Sequence, residues 1–206
     1  MTEQEFIDQD NIKFAAAKRL EYNMVEMFKQ CKDNARADGL VLEFGVYAGS
    51  TIRIIERTFD DANQIYGFDS WLGLPEDTVE KSYGFNEGAF KIDKIVLSGL
   101  EDRITLVDGW FIDTLPGFMD THPGPVRFMN IDCDQYISTK HVFDAMESRI
   151  TTGTVINFDE YKAFNGWENR EYRAFRELML RINYDYDYLY SAVDEQQVAV
   201  VIKNKL

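Results

Sequence analysis

Five short apolar runs, each ending at a glycine turn or a carboxylate, constrain this chain more than any other feature. Leu40-Val41-Leu42-Glu43-Phe44 enters Gly45, Gln64 to Phe68 meets Asp69, and Arg103 to Val107 meets Asp108-Gly109-Trp110. Val126 to Ile131 ends at Asp132-Cys133-Asp134, and Thr154 to Phe158 ends at Asp159-Glu160. Between these runs the apolar spacing becomes helical: Ile52, Ile54 and Ile55 follow a capping Ser50-Thr51, and helices are predicted around Ala89 to Leu97, Asp113 to Met119, Ser138 to Ile150 and Glu168 to Ile182. Strands that alternate with helices fold into a mostly parallel sheet covered on both faces, because each crossover carries a helix back over the sheet.

The two ends depart from that rhythm. Asn11 to Arg36 places Leu20, Met24, Met27, Phe28 and Cys31 at helical spacing and stops near Gly39, which predicts one amphipathic helix. Tyr186 to Ala192 and Gln197 to Ile202 are β-like runs joined by Val193-Asp194-Glu195-Gln196, too short a link for a helix, so they predict an antiparallel hairpin at a sheet edge. The expected fold is therefore α/β: a Rossmann-like, doubly wound, mostly parallel seven-stranded sheet with an antiparallel C-terminal hairpin. The 206 residues suit one domain over 1–206, with 1–39 as a helical cover and 40–206 as the cofactor-binding core. Ser70 to Gly88 is the longest stretch without a pattern, as expected of a lid or substrate loop.

Charge and composition exclude several classes of function. A net charge of -14 repels a phosphate backbone, and no run of basic residues offsets it, so nucleic acid is not the expected partner. No apolar run approaches the roughly 20 residues that span a bilayer, and Met1 to Asp10 is too acidic for a signal segment. The expectation is a cytoplasmic protein without membrane contact, for which a homodimer is an open option. Cys31 and Cys133 read as reduced packing thiols, and His122 and His141, lacking metal spacing, as structural or surface residues.

In a doubly wound sheet, ligands bind beyond the carboxyl ends of the strands where strand order reverses, and the five run-ending motifs belong there. Gly45 and Gly49 are four apart, with Glu43 two positions before the first. A dinucleotide fold needs G-x-G-x-x-G to cradle its pyrophosphate, which an acid here would repel; the same acid suits a sulfonium or ammonium, and an NAD-dependent oxidoreductase is disfavoured. Asp69, at the end of the second run, is placed to accept hydrogen bonds from two ribose hydroxyls. Asp132, Asp134, Asp159 and Glu160 would crowd like charge at the ends of two neighbouring strands, a costly arrangement without a cation among them. Oxygen ligands lacking His and Cys point to Mg²⁺, Mn²⁺ or Ca²⁺.

The E-x-G-x-x-x-G turn followed by an acidic strand end resembles the class I methyltransferases. The fuller set is similar to the macrocin O-methyltransferase type over about residues 40 to 175: LEFGVYAGS at 42–50, GFDSWLGLP at 67–75, GWF at 109–111 with TLP at 114–116, IDCDQY at 131–136 and FDEY at 158–161. The resemblance implies S-adenosylmethionine as cofactor. Glu43, Gly45, Tyr47, Gly49 and Thr51 would lie at its methionine part, Asp69 at the ribose, and Gly109 and Trp110 beside adenine. It further implies that Asp132, Asp159 and Glu160 hold the metal and that Asp134 is the base, although the family often carries two aspartates where this chain has Asp159-Glu160. The function implied is metal-dependent O-methylation of a small-molecule hydroxyl on a sugar or glycosylated natural product. A catechol-type phenol acceptor and a non-catalytic S-adenosylmethionine-binding module are the alternatives.

Overall fold

The computed structural model describes residues 2–76, 86–93, 102–193 and 196–206. Its elements run α1 (Glu3–Ala15), β1 (Lys18–Leu20), α2 (Met24–Asn34), β2 (Leu40–Phe44), α3 (Ser50–Thr58), β3 (Ile65–Asp69), β4 (Ile104–Asp108), α4 (Phe111–Thr121), β5 (Val126–Ile131), α5 (Tyr136–Met146), β6 (Val155–Phe158), α6 (Glu171–Ile182), β7 (Tyr184–Ala192) and β8 (Val198–Lys205). Among the described residues the strands form one eight-stranded sheet in the order β1-β7-β8-β6-β5-β2-β3-β4. β8 runs antiparallel to both β6 and β7, and the other pairings are parallel. The chain winds outward from β2 through β3 to β4, then returns to β5 on the other side of β2. That reversal point is where a doubly wound sheet opens a crevice.

Alternation along the central strands sorts side chains into two cores. Val41, Phe128 and Val155 meet Met27 and Phe28 of α2, Ile52 and Ile55 of α3, and Phe59 at the end of α3. Leu42, Phe44, Met129, Ile131, Ile156 and Phe158 meet Phe6 of α1 and Leu115, Phe143, Phe175 and Leu178 of the later helices. Every residue of β5 is buried, as befits a strand covered on both faces.

The N-terminal segment differs from the single helix expected over Asn11 to Arg36: α1 and α2 flank a short strand. Thr2 and Glu5 form a reciprocal capping box that starts α1 ahead of the expected helix. Asn23 then caps α2, its Oδ1 accepting from the Glu26 amide at 3.2 Å. Between them β1 pairs with β7, Lys18 against Tyr190 and Leu20 against Ala192. The helical spacing was genuine only from Met24 onward, and Leu20 belongs to the strand. The C-terminal hairpin forms as expected, but β1 covers its outer edge, which adds the eighth strand. Of the helix expected around Ala89 to Leu97, residues 89–93 are a turn and irregular chain, and the remainder lies outside the described residues.

Candidate active site

Hydrogen bonds continue past the strand ends and carry the run-ending motifs to one edge. Gly45 N donates to the Phe68 carbonyl at 3.0 Å, Asp132 N to Phe44 at 2.9 Å, Asp159 N to Ile131 at 3.0 Å and Gly109 N to Asp69 at 3.0 Å. Gly45 has φ +92°, and a Cβ there would stand 1.7 Å from the Asp132 carbonyl oxygen. Only glycine lets the β2 turn and the β5 end approach so closely. A cleft of ≈ 620 Å³ opens above them, within the size range of small-molecule sites. Gly45, Tyr47, Thr51, Asp69, Gly109, Trp110, Asp132, Asp134, Asp159 and Glu160 all line it. Gly49, with φ +75°, instead sits at the N-cap of α3 and is not in the lining.

Asp69 binds two loops together. Its Oδ2 accepts from the amides of Val46 at 2.9 Å and Tyr47 at 2.8 Å, and its Oδ1 from the amide of Trp71 at 2.8 Å. Trp71 completes the brace, its indole N–H donating to the Tyr47 carbonyl at 3.2 Å. A carboxylate offers about four lone-pair positions, so these three amides leave room for one further donor rather than two. The ends of the expected lid loop lie close by. Leu74 N donates to Ala89 O at 2.8 Å, Gly88 N to Leu74 O at 2.9 Å, and Leu74, Pro75 and Glu76 line the cleft, while residues 77–85 lie outside the described residues.

Glu43 lies beneath the cleft and not in its wall. It is fully buried, at the same register as Asn130 of β5 and Asn157 of β6, on the α2/α3 side of the sheet. Asn130 Nδ2 donates to Glu43 Oε1 at 3.2 Å, Asn157 Nδ2 donates to Asn130 Oδ1 at 2.6 Å, and the Tyr190 hydroxyl donates to Asn157 Oδ1. Burial, with the charge of Asp132 adding to it, pushes the Glu43 carboxyl well above the usual range. It is the β2 end of a polar row crossing the sheet, and its Oε2 is buried with no hydrogen-bond partner among the described residues.

The acidic centre assembles as its spacing suggested. Asp132, Asp159 and Glu160 each bring a carboxylate oxygen within 4.8 Å of the other two. Gln197 Nε2 donates to Asp159 Oδ1 at 3.0 Å, and Glu160 Oε2 is buried with no hydrogen-bond partner among the described residues. Asp134 turns into the same rim with φ +60°. Its acidity is weakened to a pKa of about 6 by burial, against the opposing pull of the Arg170 guanidinium and with the Asp159 charge adding to the rise. Burial first, and then the neighbouring carboxylates, also hold Asp132 and Glu160 well above their ordinary range. An orphaned carboxylate oxygen within an all-oxygen cluster fits a hard divalent cation.

The spacing did not reveal a second layer. Glu171, fully buried at the start of α6, accepts from the Glu160 amide at 3.1 Å, and its Oε1 has no hydrogen-bond partner among the described residues. Burial and the charges of Asp159 and Asp132 raise its pKa strongly. The signal was there: Glu171 falls three and four residues before Ala174 and Phe175, on the buried stripe of its helix. Arg170 beside it donates to the Asp134 carbonyl at 3.5 Å. His141, read from sequence as structural or surface, lies half-buried in the cleft wall, one helical turn after Ile137 and Ser138. His122 stacks on Phe118 with ring centroids 4.1 Å apart, and both cysteines are free and buried, in keeping with structural roles.

A crevice at the reversal point, floored by a glycine turn and ringed by strand-end acids, is where a doubly wound α/β domain binds a small ligand. The chain belongs to the methyltransferase-domain family, whose model matches residues 42–161. A Streptomyces olivaceus protein, 8-demethyl-8-(2,3-dimethoxy-α-L-rhamnosyl)-tetracenomycin-C 4'-O-methyltransferase, is 25% identical over 158 residues, covering 66% of this chain and 59% of the relative. The match thus spans less than two thirds of that protein's length. Among solved structures, the calicheamicin methyltransferase CalS11, also named TDP-rhamnose 3'-O-methyltransferase, superposes with TM-score 0.65 at 21% identity, covering 86% of this chain and 76% of that one. The O-methyltransferase NovP superposes with TM-score 0.66 at 19% identity, covering 88% and 79%. These likenesses establish the fold.

Proposed function

We propose that this protein is an S-adenosylmethionine-dependent O-methyltransferase acting on a sugar hydroxyl of a glycosylated small molecule, assisted by a divalent cation. One observation carries the reading: three carboxylate oxygens within 4.8 Å of one another share a cleft wall with the glycine turn of a methyltransferase domain. The sugar is favoured because the tetracenomycin relative and CalS11 are named for rhamnose-bearing substrates. The net charge of -14 weighs against a nucleic-acid acceptor, and no helix of the described residues is long and apolar enough to cross a membrane.

Gly45, Tyr47 and Thr51 would hold the methionine end of the cofactor, Asp69 would accept one ribose hydroxyl, and Gly109 and Trp110 would lie beside adenine. Asp132, Asp159 and Glu160 are the residues that would hold Mg²⁺ or Mn²⁺. Such an ion supplies a Lewis acid that lowers the pKa of an acceptor hydroxyl. Asp134 would take the proton of the acceptor hydroxyl, bound S-adenosylmethionine would supply the methyl group, and the cleft walls would hold the acceptor in line. The test is methylation of a panel of nucleotide-linked and natural-product rhamnosides, with and without EDTA, beside thermal shifts with S-adenosylhomocysteine. Turnover that EDTA abolishes and Mg²⁺ restores is expected. Full turnover in chelator removes the metal role, and absence of any S-adenosylhomocysteine shift removes the cofactor.

A further inference from the structure

Lys162, two residues beyond Glu160, carries its ammonium into a cage of rings. The nitrogen lies 3.6 Å from the ring centroid of Phe14, 5.2 Å from Trp167, 5.4 Å from Tyr172 and 5.8 Å from both Tyr161 and Tyr188. Its side chain is 12% exposed, and the countercharge is Asp10 of α1, fully buried, with Oδ2 3.7 Å away. The other oxygen of Asp10 accepts from the hydroxyls of Tyr186 and Tyr188, and the Tyr188 hydroxyl stands 2.8 Å from that of Tyr161. A buried ion pair of this kind is weak support for stability, because well-packed apolar groups of similar volume commonly do as well. What it does fix is geometry. The cage joins α1 to the stretch immediately after Asp159-Glu160, whose Tyr161 and Lys162 amides are otherwise held by one carbonyl, that of Gln196, at 3.2 and 3.4 Å. Asp10 and Lys162 do not line the cleft, and both fall outside the segment matched by the family model.

We infer that Asp10 and Lys162 are positioning residues through which docking of α1 sets the place of Asp159 and Glu160, and with it the affinity of the acidic centre for a divalent cation. The inference rests on the metal reading proposed above. Its test uses the full chain with Asp10→Asn, Lys162→Met and the charge-conserving Lys162→Arg. The readouts are Mn²⁺ affinity by electron paramagnetic resonance, S-adenosylhomocysteine affinity by calorimetry, and hydrogen exchange of the Tyr161 and Lys162 amides. The two neutralising variants should weaken Mn²⁺ binding about tenfold or more, the scale seen when groups supporting a metal ligand are lost. S-adenosylhomocysteine affinity should stay within about twofold, as for a distant independent site. Exchange of the two amides should quicken, and Lys162→Arg should restore both metal affinity and protection. The double variant Asp10→Asn with Lys162→Met leaves no unpaired buried charge and keeps the measurement readable if a single variant unfolds. Unchanged Mn²⁺ affinity with unchanged exchange overturns the inference, as does a parallel loss of S-adenosylhomocysteine binding. If the unsubstituted protein binds no Mn²⁺, the metal reading fails and the exchange measurement alone decides the clamp: faster exchange sustains it and unchanged exchange overturns it.

Discussion

Asp134 occupies left-handed backbone space at φ +60°, which short polar side chains tolerate better than most, and from there its carboxyl faces the cleft next to the three clustered acids. Asp134→Asn keeps shape and backbone preference while removing the base. It should lower single-turnover methylation by roughly 10²-fold or more, the scale of general-base loss, with Mn²⁺ affinity within a few-fold of the parent. If it loses the metal as completely as Asp132→Asn, Asp134 is a ligand and the proton leaves elsewhere. His141 allows a second test at this scale. Burial lowers its pKa, so its imidazole is neutral near pH 7 and can exchange hydrogen bonds with an acceptor in the cleft. His141→Ala should raise the acceptor KM by about 3- to 10-fold, the worth of one neutral hydrogen bond, with S-adenosylhomocysteine affinity unchanged in calorimetry. An unaltered KM would return His141 to a structural role.

At the scale of the elements, the polar row from Glu43 through Asn130 and Asn157 to Tyr190 ties β2, β5, β6 and β7 beneath the reversal point. Glu43 takes part in it as an acceptor whose carboxyl burial holds well above the usual range. Glu43→Gln should therefore leave the fold and S-adenosylhomocysteine affinity nearly unchanged. Asn130→Ala strips a buried acceptor from Asn157 and a donor from Glu43, and should destabilise the protein by roughly 1–3 kcal/mol for each group left unsatisfied. Urea unfolding of the two variants separates the readings: a large loss of cofactor affinity in Glu43→Gln, without loss of stability, would restore Glu43 as a charged ligand. The row also shows why the element containing Glu43 was easier to read than the side chain. Four apolar residues among the five ahead of a glycine suffice to announce β2, but the partner of Glu43 lies 87 residues away.

For the whole molecule, the raised carboxyls link stability to pH. Asp132, Glu160, Glu171 and Glu43 hold protons in the folded protein at pH values where the unfolded chain has released them, and Asp134 does so up to about 6. The folded state then binds more protons than the unfolded, so stability is full below the ordinary carboxylate range and declines as pH rises through the raised values. The thermal midpoint of the metal-free protein should accordingly fall from pH 5 to pH 8, and Mn²⁺ should raise it more at pH 8 than at pH 5, because the cation binds the ionised cluster. A midpoint in chelator that rises over the same interval would show that these groups are ionised when folded.

Apart from the helix expected around Ala89 to Leu97, the order of strands and helices from β2 to α6 was written locally, in apolar periods of two and of 3.6 residues and in the glycines and acids that punctuate them. Because a doubly wound sheet puts every parallel strand's carboxyl end on one edge, that order also located the cleft and the triad Asp132, Asp159 and Glu160. Tertiary structure decided what periodicity does not encode. Whether Leu20 extends a helix or joins a sheet depended on an open edge of β7, more than 160 residues along the chain. That Glu43 joins a buried polar row, and that Asp69 in the cleft wall also braces two loops, depended on Asn130 and on the amides of Val46, Tyr47 and Trp71. Helical spacing puts Glu171 on a buried stripe but does not say what it meets, and nothing in the sequence pairs Asp10 with Lys162. The fold supplies those partners, the Glu160 amide for Glu171 and the Lys162 ammonium for Asp10, because a buried charged or polar group must be matched where water cannot reach it.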